Sequence, residues 1–208
     1  MKPPFHDRTD AGRSLARLLE HYRASDALVL AIPAGGVPVA AEIARALDLH
    51  LAVAPVSKVL LPWTTESGYG AVAFDGSVWL DEDAISGFGL RKPQIEKAVA
   101  EARAKVERRI KPLPDLQGRS VILVDDGIAA GSTMRSAIAA LRKRKVARVV
   151  VAVPTAHESS FQAVRKLADE AVCADIRAGR TFAVADAYEE WRDLTDEEIE
   201  DILKACQR

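Results

Sequence analysis

Asp125 and Asp126 stand side by side directly after four β-favouring apolar residues, in the stretch "VILVDDGIAAGSTM". One Asp at a strand end is most simply a turn cap. Two together are different, because each raises the cost of ionising the other. A divalent cation, or a diol donating hydrogen bonds, would offset that cost. The residues that follow offer a second kind of site. Gly127 and Gly131 permit tight or left-handed backbone, and Ala129 and Ala130 leave the backbone amides uncovered. Ser132 and Thr133 then open a helix, where free N–H groups and the helix dipole favour a phosphate. A sugar phosphate would fill both halves. The Gly-Lys-Ser/Thr ending of nucleoside-triphosphate loops is absent, which disfavours triphosphate hydrolysis.

Other residues carry weaker signals. Lys58 begins a segment of mixed composition directly after a strand signal. By itself it reads as a solvated strand-end lysine; beside an anion site its ammonium could neutralise charge on a departing group. Trp63, Glu66 and Tyr69 lie in the same segment and are lesser candidates, Trp63 equally as a packing residue. His157 follows another strand signal, so it faces either a ligand or the first turn of the next helix, with Ser159 and Ser160 as caps. Phe182, Tyr188 and Trp191 either stack on a planar ligand or bury one part of the chain against another. His6, His21 and His50 show no ligand-like spacing. The basic run "LRKRKVAR" complements a helix C-terminus and lacks the interleaved aromatics of a nucleic-acid patch.

The elements that must position these residues alternate along the chain. Helical spacing marks 8–23, with Leu15, Leu18, Leu19 and Tyr22 on one face. Continuous apolar runs at 27–33, 51–57, 121–124 and 147–154 read as strands covered on both faces. Helices are expected over 35–48, 93–110, 132–144, from about 158, and at the acidic C-terminus, with a short strand at 170–175. Residues 58–70 read as a long loop, and 70–82 as a hairpin turning at Asp75-Gly76. Alternation of this kind implies a doubly wound, mainly parallel sheet, with ligands at the carboxyl ends of its strands.

Composition agrees with an ordinary globular protein: 208 residues, 49 % hydrophobic, 28 % charged, net charge −1. That charge gives no reason to expect nucleic acid or an anionic membrane as partner. Cys173 and Cys206 are too few for a disulfide framework or a zinc cluster. No apolar run nears the roughly 20 residues of a membrane span. The opening "MKPPFHDRTD" has no signal-peptide core, so a cytoplasmic protein is expected.

"VILVDDGIAAGST" resembles the phosphoribosyl-pyrophosphate (PRPP) motif of the type I phosphoribosyltransferases: four apolar residues, two acidic ones, then a small-residue phosphate loop. The resemblance spans most of the chain. It implies an α/β fold with a doubly wound, mainly parallel sheet, a β-hairpin flexible-loop insertion, and a small hood formed by terminal segments. The chain would be one domain, 1–208, with a core of about 25–172 and a hood from 1–24 and 173–208. Asp125 and Asp126 would hold the ribose hydroxyls. Gly127, Ile128, Ala129, Ala130, Gly131, Ser132 and Thr133 would hold the 5′-phosphate. Ala34, Gly35 and Gly36, in "AIPAGGVPVAAEIARAL", match the family's pyrophosphate loop, and Lys58 would be the catalytic cation of the mobile loop. His157, Phe182 and Tyr188 are the implied acceptor contacts.

The implied reaction is Mg²⁺-dependent transfer of phosphoribosyl from PRPP to a nitrogenous acceptor, releasing pyrophosphate. Mg²⁺ would be held mainly by PRPP, with Asp125 and Asp126 as the protein's own candidates. A homodimer is a further expectation, since many relatives pair. The alternative is a non-catalytic PRPP-binding regulatory protein. "PAGGVPVAAEIA", "GYGAVAFDG" and "FAVADAYEEW" are similar to a bacterial and archaeal group of phosphoribosyltransferase-like proteins of unassigned acceptor. Two positions depart from the wider pattern. Ala34 stands where near relatives tend to have Arg, and Ala129 stands where members using 6-oxopurines have an acidic residue.

Overall fold

The computed structural model describes residues 2–64, 67–109, 113–179 and 181–206. Five parallel strands form the central sheet: β1 (Leu28–Ala31), β2 (His50–Val53), β6 (Ser120–Val124), β7 (Arg148–His157) and β8 (Glu170–Arg177). Their order is β2-β1-β6-β7-β8. From β1 the chain moves outward to β2 on one side, whereas β6 leads to β7 on the other. The order therefore reverses between β1 and β6, and the crevice there opens at their carboxyl ends.

Strand β1 and, from Val121 on, β6 are apolar and buried at every position because helices cover both faces. Leu28 and Leu30 of β1 and Val121 and Leu123 of β6 enter one core, with α5 (Ser132–Lys143) and α6 (Glu158–Arg165). Val29, Ala31, Ile122 and Val124 point the other way, toward α1 (Arg8–Leu18) and α2 (Gly36–Leu47), with Ile199 of α7 (Asp196–Cys206). This alternation is the period of two expected of a strand. Leu15 of α1 is fully buried, so truncating it to Ala would cost about 2–5 kcal/mol.

A second sheet departs from the sequence reading. Within 58–70, expected as a long loop, the described residues supply most of an antiparallel pair: β3 (Ser57–Leu60) and β4 (Gly68–Val72), joined at β4 to β5 (Val78–Leu80). The Asp75-Gly76 turn lies where expected, with Gly76 at φ 79°. Helix α4 (Lys92–Arg109) packs on this small sheet through Ala102 and Val106. The short α3 (Glu82–Gly87), capped by Asp81, has no counterpart in the sequence reading. Ser136 of α5 donates to the Ala71 carbonyl at 3.1 Å, fastening the small sheet beside the crevice.

The segments expected as a hood supply core layers as well. Helix α1 covers one face of the main sheet, β8 is its edge strand, and Ile199 of α7 enters the same core as α2. What remains as a cap is a small cluster of Phe5, Ala187 and Tyr188 with Ala11. Main-chain bonds stitch it together, Phe5 N–H to the Ala187 carbonyl and Glu189 N–H to the Phe5 carbonyl. No helix among the described residues is long and apolar enough to cross a membrane.

Candidate active site

The carboxyl ends of β1 and β6 place two loops against each other. Strand β1 runs into 32–35, whose Pro33–Ala34 peptide is cis. Strand β6 runs into 125–131. The second loop is pinned on its far side by β7, where Ile128 N–H donates to the Thr155 carbonyl at 3.0 Å and the Ile128 carbonyl accepts from His157 N–H at 2.9 Å. Ala129 and Ala130 are exposed, leaving their backbone open to the crevice. Gly131 takes a left-handed conformation, φ 81°, immediately before α5 begins at Ser132. The loop thus presents a helix N-terminus and small side chains to a cleft of about 760 Å³.

That cleft gathers most of the residues singled out by sequence. Ala34, Gly35, Lys58, Asp125, Asp126 and all of 127–133 line it. Gly36 lies just behind, where a Cβ would stand 2.7 Å from the Val124 carbonyl oxygen. Lys58 sits on β3, not in a loop. Its neighbour Val59 is buried against α4, so the alternation of the strand turns Lys58 to the cleft side.

The acidic pair is asymmetric. Asp126 accepts from Arg8 Nε at 2.9 Å, both side chains being 15 % exposed or less. Its backbone N–H donates to Asp125 Oδ1 at 2.9 Å, and its carbonyl accepts from the Tyr188 hydroxyl at 2.6 Å. Asp125 is pushed well above the usual carboxylate range, first by burial and then by the adjacent Asp126 charge, while the Lys58 ammonium acts in the opposite sense. One carboxylate is satisfied by the fold; the other is held in an unfavourable electrostatic state at the floor of the cleft.

Three expected acceptor contacts are placed elsewhere. Tyr188 is buried, its ring between Phe5 and Trp191 and its hydroxyl engaged with Asp126, so it braces the site from behind. His157 ends β7 but bonds through Nε2 to the Gly179 carbonyl and through Nδ1 to Ser159. Phe182 packs edge-on against His157 at 5.9 Å, and neither lines the cleft. In the hairpin, Tyr69 is buried under α4, Trp63 is exposed against Phe88, and Glu66 lies outside the described residues.

Sequence reasoning missed Arg8, whereas it named Trp191 among the aromatics that could stack on a ligand. Both line the cleft, with the guanidinium 3.9 Å from the indole ring centre. It also missed Lys105, Arg108 and Arg109, which α4 brings to the opposite wall. An arginine opening an amphipathic helix carries no signal of a partner 118 residues away. Only the "FHDR" start, where Asp7 caps α1 through Asp10 N–H, fixes where Arg8 stands.

A parallel five-strand sheet with an acidic pair and a small-residue loop at its order reversal defines an α/β domain of the type I phosphoribosyltransferase fold. The chain belongs to the phosphoribosyl transferase domain family, matched over residues 8–187. Two curated relatives from Mycobacterium tuberculosis strains, each named "Putative phosphoribosyl transferase", are 36 % identical over 98 % of this chain. The alignment covers 47 % of those proteins, so the chain spans about half their length. The crystal structure of TT1426 from Thermus thermophilus aligns with a TM-score of 0.74 at 35 % identity, over 98 % of both chains. A hypoxanthine phosphoribosyltransferase from Staphylococcus aureus shares the fold at 15 % identity and a TM-score of 0.50, covering 83 % of this chain and 73 % of that one.

Proposed function

We propose that this chain transfers a phosphoribosyl group from PRPP, with Mg²⁺, to a nitrogenous acceptor. The observation that carries the reading is the cleft that joins the acidic pair, the 127–133 loop, the 34–35 backbone and Lys58. Exposed amides at a helix N-terminus suit a 5′-phosphate, and Asp125 suits a ribose hydroxyl that donates to it. The 34–36 backbone suits the pyrophosphate. In the reaction the C1–O bond breaks with its electron pair leaving on pyrophosphate. The acceptor nitrogen attacks the opposite face of C1 and gives up its proton to solvent. Positive charge grows on the ribose and negative charge on the leaving group, so the protein acts by positioning and by electrostatics. Lys58 neutralises the leaving group.

The residues present fit Mg²⁺, because the carboxylate oxygens of Asp125 and Asp126 are hard donors. Asp126 is already paired with Arg8, and no cluster of three ligating side chains occurs among the described residues. Mg²⁺ would therefore be held mainly by PRPP oxygens, with Asp125 as the protein's own oxygen donor, and would neutralise the diphosphate when bound. Ala129 is exposed on the loop and offers no acid or base to a purine ring, which favours an acceptor other than a 6-oxopurine. A homodimer and a cytoplasmic setting belong to the same proposal.

Ala34 favours one rival. It puts a methyl group in the cleft where near relatives tend to have Arg, removing a bidentate anion contact. A PRPP-binding regulator that does no chemistry would tolerate that loss. Calorimetry with PRPP and Mg²⁺, followed by a pyrophosphate-release screen over pyrimidines, purines and small nitrogen heterocycles, separates the readings. Binding with release supports the transferase. Binding without release from any acceptor supports the regulator, and no binding refutes both.

A further inference from the structure

The geometry points to Arg8 as the residue that holds Asp126 in place, so that the two carboxylates do different work: Asp126 braces the site and Asp125 meets the ligand. The inference rests on the sugar-phosphate reading of the cleft. Arg8 is 8 % exposed and joins three distant segments. Its Nε donates to Asp126 Oδ2 at 2.9 Å, its Nη1 donates to the Arg192 carbonyl at 2.9 Å, and its guanidinium lies 3.9 Å from the Trp191 ring centre. A guanidinium is suited to this because its planar fork bonds in two directions while its face stacks on an aromatic ring.

Asp126 is immobilised from every side. Arg8 holds its carboxylate, Tyr188 holds its carbonyl, and Asp125 holds its N–H. Its carboxylate also packs on the bare Cα of Gly35: a Cβ there would fall 1.7 Å from Oδ2. Asp126 therefore couples the 33–36 loop to the 125–131 loop, and Arg8 ties that junction to the 188–192 segment. A ribose hydroxyl would have to compete with Arg8 for Asp126, whereas Asp125 has the larger need of a donor. Arg8 is thus a positioning residue acting through Asp126, and the 188–192 segment, through Trp191 and the Arg192 carbonyl, is part of the support.

Ribose 5-phosphate affinity, measured by calorimetry, tests this in the wild type, Arg8→Gln, Arg8→Lys, Asp126→Asn and the Arg8→Gln/Asp126→Asn double variant. Arg8→Gln should weaken binding at least about tenfold, and Arg8→Lys, which keeps the charge but loses the fork, by about threefold, as expected for losing all or part of a charge-assisted hydrogen bond. The double variant should bind no worse than the weaker single variant, because Arg8 has nothing left to act on once Asp126 is changed. Asp125→Asn, measured alongside, should cost more affinity than Asp126→Asn, and the reverse order overturns the division of work between the two carboxylates. Unchanged affinity in folded Arg8→Gln, or losses that add fully in the double variant, overturns the assignment. Should Arg8→Gln be unfolded by circular dichroism, Arg8→Lys decides, and wild-type affinity in it overturns the assignment equally. A wild type that fails to bind ribose 5-phosphate or PRPP at all refutes the sugar-phosphate reading instead, which is a different result.

Discussion

Gly35→Ala isolates the contact between the two loops of the site. Gly35 has ordinary helical dihedrals, φ −61° and ψ −32°, so alanine brings no backbone strain there. All of its effect must come from the added methyl group. That carbon would lie 1.7 Å from Asp126 Oδ2 and 2.3 Å from its Cγ, where real Cβ contacts do not fall below 3.0 Å. The obstacle is a carboxylate held at 2.9 Å by buried Arg8, not the free end of a flexible side chain. Either the ion pair opens or the 33–36 loop lifts. Loss of one charge-assisted hydrogen bond is worth about 1.5–3 kcal/mol, which matches the ~1–3 kcal/mol usual for overpacking. At roughly 2–4 °C per kcal/mol for a chain of this size, the melting temperature should fall by roughly 3–12 °C. Ribose 5-phosphate affinity should fall at least about tenfold, since both loops would be displaced. Scanning calorimetry and titration calorimetry read the two effects. Gly87→Ala is the control: beyond its chain neighbours and its own helix, nothing lies within 4 Å of the added carbon, so stability should stay within about 0.5 kcal/mol of wild type. A Gly35→Ala protein that melts and binds like wild type would refute the coupling of the loops through Asp126.

Lys58→Ala should cut turnover at least about tenfold, the effect of losing roughly 1.4 kcal/mol of transition-state stabilisation, while PRPP affinity changes much less; pyrophosphate release under saturating substrate measures it. Thr133→Val keeps the side-chain shape and removes a hydroxyl from the phosphate loop, so ribose 5-phosphate should bind about five- to tenfold more weakly by calorimetry. Asp125→Asn should stabilise the ligand-free protein near neutral pH. The folded state raises the Asp125 pKa above the ordinary 3.8, so between 3.8 and that raised value the native state binds more protons than the unfolded one, and wild-type stability falls as pH rises. The asparagine variant lacks this effect, and its advantage in melting temperature should be full above the raised pKa and vanish toward pH 3.8.

The legible parts of the site were the contiguous ones. "VILVDDGIAAGST" holds its strand, its carboxylates, its loop and its helix start in one stretch, and each local signal agrees with the next. The parallel sheet was readable because 28–31 and 121–124 are apolar on both faces, which only a doubly covered strand requires. Residues 57–60 were not readable as a strand. They are four in number, irregular in register at Val59/Leu60, and defined by pairing with β4 more than by their own pattern. The same holds for His157 and Tyr188. Their types suit a ligand site, yet long-range bonds to Gly179 and Asp126 decide where they point, and no local period encodes those partners. Arg8 was invisible for the same reason.

Two aspartates identical in type and adjacent in sequence end with opposite roles because their compensation comes from different places. Asp126 has its countercharge built into the fold by Arg8, so its carboxylate is paired before any ligand arrives. Asp125 has the help of the Lys58 ammonium, which does not outweigh the combined effect of burial and its neighbour's charge. A group left that unsatisfied lowers stability, and such groups persist where function uses them. The proposed sugar-phosphate reading gives this one a use, since a ribose hydroxyl or a cation carried by the ligand would supply what the fold withholds. On this view Arg8 does more than hold a side chain. By settling the charge of Asp126 it confines the unmet electrostatic demand to one carboxylate, at the place in the cleft where loop 33–36, loop 125–131 and Lys58 converge.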